Sequence, residues 1–215
     1  MSVSASKSPS TSANTEIVFT PAAQRAMATR GSAHAYAQKI AGGFPDRVTP
    51  DLAGFLAELD TAFLGTVSAE GAPYIQHRGG PKGFIKVLDD KTLGFADFGG
   101  NRQYLTLSNL EGNDKAFLFL LDFANRQRIK VWGRARVVEN DPKLMEKLVD
   151  PGYRARPERA ILFTVEAWDM NCSQHITERY TQPEVAVAVS GLRDRIAALE
   201  VENEKLRAKL GPLGQ

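Results

Sequence analysis

Three cationic side chains on neighbouring segments, Arg78, Lys86 and Arg102, are of the types that bind a phosphate. Arg102 stands in Phe98-Gly99-Gly100-Asn101-Arg102-Gln103. Glycines let the backbone approach a ligand closely. A helix starting at Asn101 would aim free N–H groups and a positive dipole end at an anion. A guanidinium adds a bidentate donor. The alternative is that Gly99-Gly100 only turns the chain and Arg102 is solvated. Lys86 lies in the otherwise apolar Phe84-Ile85-Lys86-Val87-Leu88. Strand alternation sends it either to solvent or into a groove where it meets an anion. Arg78 follows Gln76-His77 and precedes Gly79-Gly80. Convergence of the three on one phosphate explains more than any one of them alone.

Two further stretches carry polar chemistry. In Arg126-Gln127-Arg128-Ile129-Lys130-Val131-Trp132-Gly133, alternation puts Arg128 and Lys130 on one face and Ile129 and Val131 on the other. The basic face either lines a cofactor groove or is solvated. In Trp168 to Arg179, the residues Cys172, Gln174, His175 and Arg179 crowd together after the last expected strand. With one cysteine and three histidines in the chain, a closed zinc site is not expected, and no metal is assigned. A Cys172–His175 nucleophilic pair has no further support. A lid or interface segment, in which Gln174, His175 and Arg179 hydrogen-bond a ligand, competes with a simple buried turn. No catalytic residue is assigned.

The elements that must position these groups are short strands. Ala62–Ser68, Pro73–Arg78, Phe84–Leu88, Thr92–Asp97, Ala116–Asp122, Arg128–Glu139 and Ala160–Trp168 are expected as strands, with turns at Glu70-Gly71 and Asp89-Asp90-Lys91. A helix is expected from about Asn101 to Leu110. Thr20-Pro21 signals a helix running to about Ile40, where Gly42-Gly43 would stop it. Thr49-Pro50 starts another, with Leu52, Phe55, Leu56 and Leu59 on one face, and Asp141-Pro142 a third. Many short antiparallel strands with few helices favour a mainly β, α+β barrel over a parallel sheet.

Composition narrows the field. The chain has 215 residues, 43% hydrophobic and 24% charged, enough for one well-cored domain with extensions. A net charge of +2 does not point to nucleic acid. The longest apolar run, Ala116 to Leu121, is too short for a membrane span. The single Cys172 excludes an internal disulfide framework and fits a cytoplasmic protein; the N-terminus shows no apolar secretory segment. Residues 1–15 are rich in Ser, Thr and Ala and read as a disordered leader.

The C-terminal stretch is a different object. Val189, Leu192, Ile196, Leu199, Asn203, Leu206 and Leu210 alternate three and four apart, a heptad seam with Asn203 at an a position. In a parallel pair Arg195 would face Glu200 of the other helix, and Glu202 would face Arg207. The alternative is an amphipathic helix lying on its own domain.

The stretches QHRGGPKGFIKVLDD, LGFADFGGNRQY, NRQRIKVWGRARVVE and AWDMNCSQHITERY resemble, in this order, the pyridoxamine 5′-phosphate oxidase-like family of FMN-binding split β-barrels. They are most similar to a bacterial branch of predicted flavin-nucleotide-binding proteins. The resemblance covers roughly residues 50–180. It implies a homodimer with two FMN molecules at the subunit interface. Lys86 matches the family's phosphate-binding lysine. Arg102 and Gln103 match its basic pair, with Asn101 in place of a small hydroxyl residue. Arg128 falls where the family has an amide at the flavin edge, and a cation there would favour an anionic reduced flavin. Ala96 and Asp97 fall where the family has a Tyr-Thr-like pair, and a bare Asp97 carboxylate conflicts with a phosphate. Joined to the composition, cap signals and heptad seam above, it divides the chain into a leader over 1–15, a helical extension over 16–60, the FMN-binding barrel over 61–183 and a coiled-coil dimerisation helix over 184–211. The residue pattern and the resemblance together give the expected cofactor-binding set His77, Arg78, Lys86, Asn101, Arg102, Gln103, Arg128, Gln174, His175 and Arg179. The implied activity is FMN-dependent oxidoreduction on an unspecified small molecule. The alternatives are a non-catalytic flavin carrier or sensor, or a haem- or deazaflavin-binding barrel.

Overall fold

A computed structural model describes residues 14–171 and 174–211, leaving out the side chains of Asn171 and Leu210. Most of the expected leader, and Cys172, lie outside the described residues. Two compact units are formed. The first holds residues up to Asp122 together with Gln127–Gln174, and the second holds Phe123–Arg126 with the residues from His175 onward.

The first unit is built on one antiparallel sheet. Its strands are β1 (Thr61–Val67), β2 (Pro73–Gly79), β3 (Lys86–Val87), β4 (Thr92–Phe98), β5 (Lys115–Asp122), β6 (Gln127–Val138) and β7 (Pro157–Asn171), in the order β2-β1-β5-β6-β7-β4-β3. Period-2 alternation decides the faces. Ala62, Leu64, Leu118, Leu120, Ile129, Val131, Ile161 and Phe163 turn inward and are all but sealed from solvent. Phe84, Ile85, Leu93 and Phe95 join the same core.

Helix α4 (Pro50–Glu58) adds Leu52 and Leu56 to that core. Its start follows the sequence signal: the Thr49 hydroxyl accepts from the Leu52 N–H, and Pro50 occupies the first turn. Helix α5 (Leu105–Gly112) docks through a buried hydrogen bond, in which the Asn109 amide donates to the Thr66 hydroxyl on β1 at 2.9 Å. Helix α6 (Pro142–Leu148) is capped by Asp141 as expected. Trp168 donates its indole N–H to the Arg47 carbonyl at 2.9 Å, pinning the entry to α4 against β7.

Several boundaries differ from the sequence expectation, each for a local reason. The single helix expected over 21–40 is two, α2 (Pro21–Thr29) and α3 (Ala33–Gly42), because Gly31 takes a left-handed φ of 76° and breaks the run. Ahead of them, α1 (Thr15–Val18) is held to α3 by the Thr15 hydroxyl donating to the Ile40 carbonyl. The expected strand over Phe84–Leu88 pairs only at Lys86 and Val87. The last strand is longer than expected and reaches Asn171, with a register shift opposite Trp132 and Gly133.

The second unit contains α7 (Gln182–Leu210), 29 residues long. Thr181 and Glu184 form a reciprocal capping box at its start, with a proline in the first turn. Among the described residues, no helix is long and apolar enough to cross a membrane.

The register shift is tight. A methyl group on Gly133 would collide with the Thr164 carbonyl oxygen and the Phe163 ring. Gly133→Ala is therefore expected to destabilise by about 1–3 kcal/mol or more. Gly191, mid-helix with open space around it, should gain up to about 1 kcal/mol on change to Ala. Urea denaturation of the two variants checks both signs.

Candidate functional site

The two ends of the sheet are not joined by backbone hydrogen bonds: β2 ends the order on one side and β3 on the other. Side chains link β2 to β4, the strand next to the other end. Arg78 on β2 forms an ion pair with Asp97 on β4. Asp97 also pairs at 3.3 Å with Arg159, its cross-strand partner on β7. Arg78 Nη2 donates to Gln76 Oε1 at 2.9 Å and to Thr106 Oγ1 at 3.0 Å, and the Thr106 hydroxyl donates to Gln76 Oε1 at 2.8 Å. Side-chain exposure is 10% for Arg78, 7% for Asp97 and 12% for Arg159, so the network is nearly dry.

A buried carboxylate needs paired charge. Asp97 has two arginines. Burial pushes the Arg78 guanidinium below its ordinary pKa, and the charge of Asp97 opposes the shift. Arginine stays protonated regardless. The direction records a desolvation cost that Asp97 offsets.

A cavity of about 50 Å³ opens beside this network. Gln76, Arg78, Asp97, Gly100, Asn101, Arg102, Tyr104, Thr106 and Arg159 are among its lining residues. One water needs roughly 10–15 Å³ by the same measure, so a group of phosphate size fits. Two lining residues, Arg78 and Arg159, each carry a buried Nε–H with no hydrogen-bond partner. Arg159 Nε forms an ion pair with Glu139 at 3.3 Å, outside hydrogen-bond geometry, and Arg159 Nη2 pairs with Glu158 at 2.9 Å. Orphaned buried donors are costly. An anion supplying acceptors fits this donor set.

The glycine turn reaches the cavity, but not as the start of a helix. Helix α5 begins four residues later than expected, at Leu105. Arg102 and Tyr104 both take left-handed φ, 56° and 53°. Such a backbone in non-glycine residues is uncommon and gathers at ligand sites. The cradle expected at a helix N-terminus is instead an irregular loop. Asn101 Oδ1 accepts from the Gln103 N–H at 3.2 Å and holds the loop's shape.

The expected residues thus separate. Arg78, Asn101 and Arg102 come together at the cavity. Gln103 is exposed and bonds only within the loop. Lys86 is half-buried on the two-residue edge strand β3, and is absent from the cavity lining. The expected threefold convergence therefore reduces to Arg78 and Arg102, with Arg159 in place of Lys86.

The sheet's opposite face carries His77 and Arg128. The His77 ring meets Phe63 edge-on at 5.7 Å. Phe63, Ile75, Phe117, Phe119 and Leu121 leave an open, wholly apolar hollow of about 450 Å³. Beside it, Arg128 and Lys130 share a face as alternation requires, while Ile129 and Val131 are fully buried behind them. These cations are not freely solvated. Arg128 Nε is buried and makes no hydrogen bond among the described residues. Burial lowers the Lys130 pKa, with nearby Asp169 opposing it, and its ammonium lies 5.1 Å from the centre of the Trp132 ring. Asp169 in turn accepts from Lys39 on α3 at 2.5 Å.

Gln174 is exposed at the end of the first unit. In the second, His175 takes a left-handed φ of 64°. Arg179 stacks its guanidinium 5.0 Å from the Phe123 ring, and Glu178 pairs with Arg126 at 3.4 Å. The sequence reading did not expect Arg159, Tyr104, Thr106 and Gln76 at this cavity. The available signal was Asp97: a carboxylate among phosphate-binding positions demands a compensating cation.

Comparison with known proteins adds the following. A family model described as pyridoxamine 5′-phosphate oxidase matches residues 48–172. No curated protein matches. Among solved structures, Group A Streptococcus HupZ is 19% identical, aligned over 62% of this chain and 99% of that one, with a TM-score of 0.44. An FMN-binding protein from Syntrophomonas wolfei is 17% identical over 55% and 81%, TM-score 0.43. A Clostridium acetobutylicum protein of the pyridoxinephosphate oxidase family, related to general stress protein 26 of B. subtilis, is 17% identical over 61% and 92%, TM-score 0.43.

Removing one partner of a buried ion pair strands the other charge. Asp97→Ala strands Arg78 and should cost about 3–5 kcal/mol, and Arg78→Ala, which leaves Asp97 its pair with Arg159, should cost less. The double replacement should cost clearly less than the two together, which a double-mutant cycle in urea measures.

Proposed function

Because this chain belongs to the pyridoxamine 5′-phosphate oxidase family, we propose that it is an FMN-binding flavoprotein and an FMN-dependent oxidoreductase. The observation that carries this reading is the cavity at the split between β2 and β4, lined by Arg78, Arg102 and Arg159, where the buried Nε–H groups of Arg78 and Arg159 make no hydrogen bond among the described residues. In this reading Arg78 and Arg102 bind the phosphate. Gln76 and Thr106 orient Arg78 by their hydrogen bonds to it. Arg159 shares the charge of Asp97, so that the carboxylate does not repel the phosphate. Asn101 fixes the loop that carries Arg102. Lys86 and Gln103 belong to the outer reaches of the site.

Bound FMN supplies two-electron transfer; the protein supplies binding, orientation and charge. His77 and Arg128 serve the flavin or the substrate from the outer face. Gln174, His175 and Arg179 are further candidates for that role. The apolar hollow over Phe63, Ile75, Phe117, Phe119 and Leu121 is covered by a second copy of the chain, forming a homodimer with the cofactor at its interface. Such a hollow left open would be unusual for a monomer. The protein works in the cytoplasm.

The purified protein is expected to show a flavin absorption spectrum and to release FMN on denaturation. Arg102→Ala removes an exposed guanidinium and should leave folding intact. It should weaken FMN binding on the order of 10- to 100-fold, the value of one charge-assisted contact. Unchanged affinity in a fluorescence titration would sink the assignment of this loop to the phosphate.

A further inference from the structure

Helix α7 has an apolar seam that is not buried. Leu192, Ile196, Leu199 and Leu206 are 44–64% exposed, and Val185 one heptad before Leu192 is exposed too. These residues fall at a and d positions together with Val189 and Asn203. A 29-residue helix with a strict a/d stripe is the pattern of a coiled-coil strand rather than of a helix lying on a globular surface, whose stripe is wider. Val187 and Val201 lie off the seam, and isolated exposed apolar residues need no partner.

We propose that α7 pairs with α7 of a second copy of this chain as a parallel, in-register two-stranded coil. Charge complementarity identifies the occupant. The flanking positions carry Arg195 and Glu202 on one side of the seam and Glu200 and Arg207 on the other. In a parallel self-pair Arg195 meets Glu200 of the other copy, and Glu202 meets Arg207, twice over by symmetry. All four contacts are attractive, so the sequence complements itself.

Charge alone does not fix the direction. A reversed pair overlapping over Val185 to Leu210 would bring Arg193 to Glu200 and Arg195 to Glu202, which is attractive as well. Asn203 decides it. In the parallel pair Asn203 faces Asn203, and two amides satisfy each other. In the reversed pair Asn203 faces Leu192, and a buried amide has no partner. An unmatched buried amide costs roughly 1–3 kcal/mol per layer, more than the few tenths that each exposed ion pair contributes. Orientation follows the asparagine. The inference is independent of the flavin reading, since none of these residues belongs to the cavity.

The test uses the full chain with Cys172→Ser and a single spin label at Ser190→Cys or, separately, Ala208→Cys, both off the seam. Pulsed electron–electron dipolar distances are read in each protein, then again after dilution with unlabelled chain. A short distance at both sites, whose dipolar signal weakens on dilution, is the expected result. A reversed pair would offset the labels along the axis by about 20–30 Å, from a rise of 1.5 Å per residue. Such long distances would overturn the orientation. Absence of dipolar coupling at both sites would overturn the pairing. Asn203→Leu should broaden the distribution as reversed pairs become accessible, and an unchanged distribution would remove Asn203 as the determinant.

Discussion

The buried bridge from Arg78 through Asp97 to Arg159 is the constraint on which the sheet and the site both depend. It ties three strands. One of them, β2, is the end of the sheet that backbone hydrogen bonds leave open. Buried ion pairs repay their desolvation only when geometry and further hydrogen bonds are favourable. Gln76 and Thr106 supply those hydrogen bonds here. The same strands that bury the core against Leu64, Leu118 and Phe163 therefore end in a set of donors with acceptors still wanting.

The two faces of the sheet divide the labour. Alternation sends Gln76 and Arg78 toward the polar bridge, and Ile75 and His77 toward the apolar hollow. One strand thus lines both the polar cavity and the apolar hollow. On β6 the same rule sets Arg128 and Lys130 against a sealed row of Ile129 and Val131. Both cations are half-buried, and the Lys130 ammonium lies over the Trp132 ring.

Much of this was legible from residue pattern. Alternation located the strands, and Thr49-Pro50 and Asp141-Pro142 marked two helix starts through a single hydroxyl or carboxylate cap. What escaped had nonlocal or backbone causes. One glycine, Gly31, divided an expected helix. Left-handed backbone at Arg102 and Tyr104 moved the start of α5, and neither residue type announces such a conformation. The pairing of Asp97 with Arg159 requires the β4–β7 register, which joins residues 62 positions apart. Lys86, expected as a third phosphate ligand from its apolar surroundings, lies on a strand that pairs at two residues and does not line the cavity. The need of Asp97 for a compensating cation was visible, and a second arginine pairs with it.

The most direct measurement is a fluorescence titration of ligand-free protein with FMN and, in parallel, with riboflavin, which lacks the phosphate. The account predicts that FMN binds at least tenfold tighter, and that Arg102→Ala narrows this gap by weakening FMN alone. Equal affinity for the two ligands, or equal weakening of both, would contradict a phosphate site at the Arg78–Asp97 cavity.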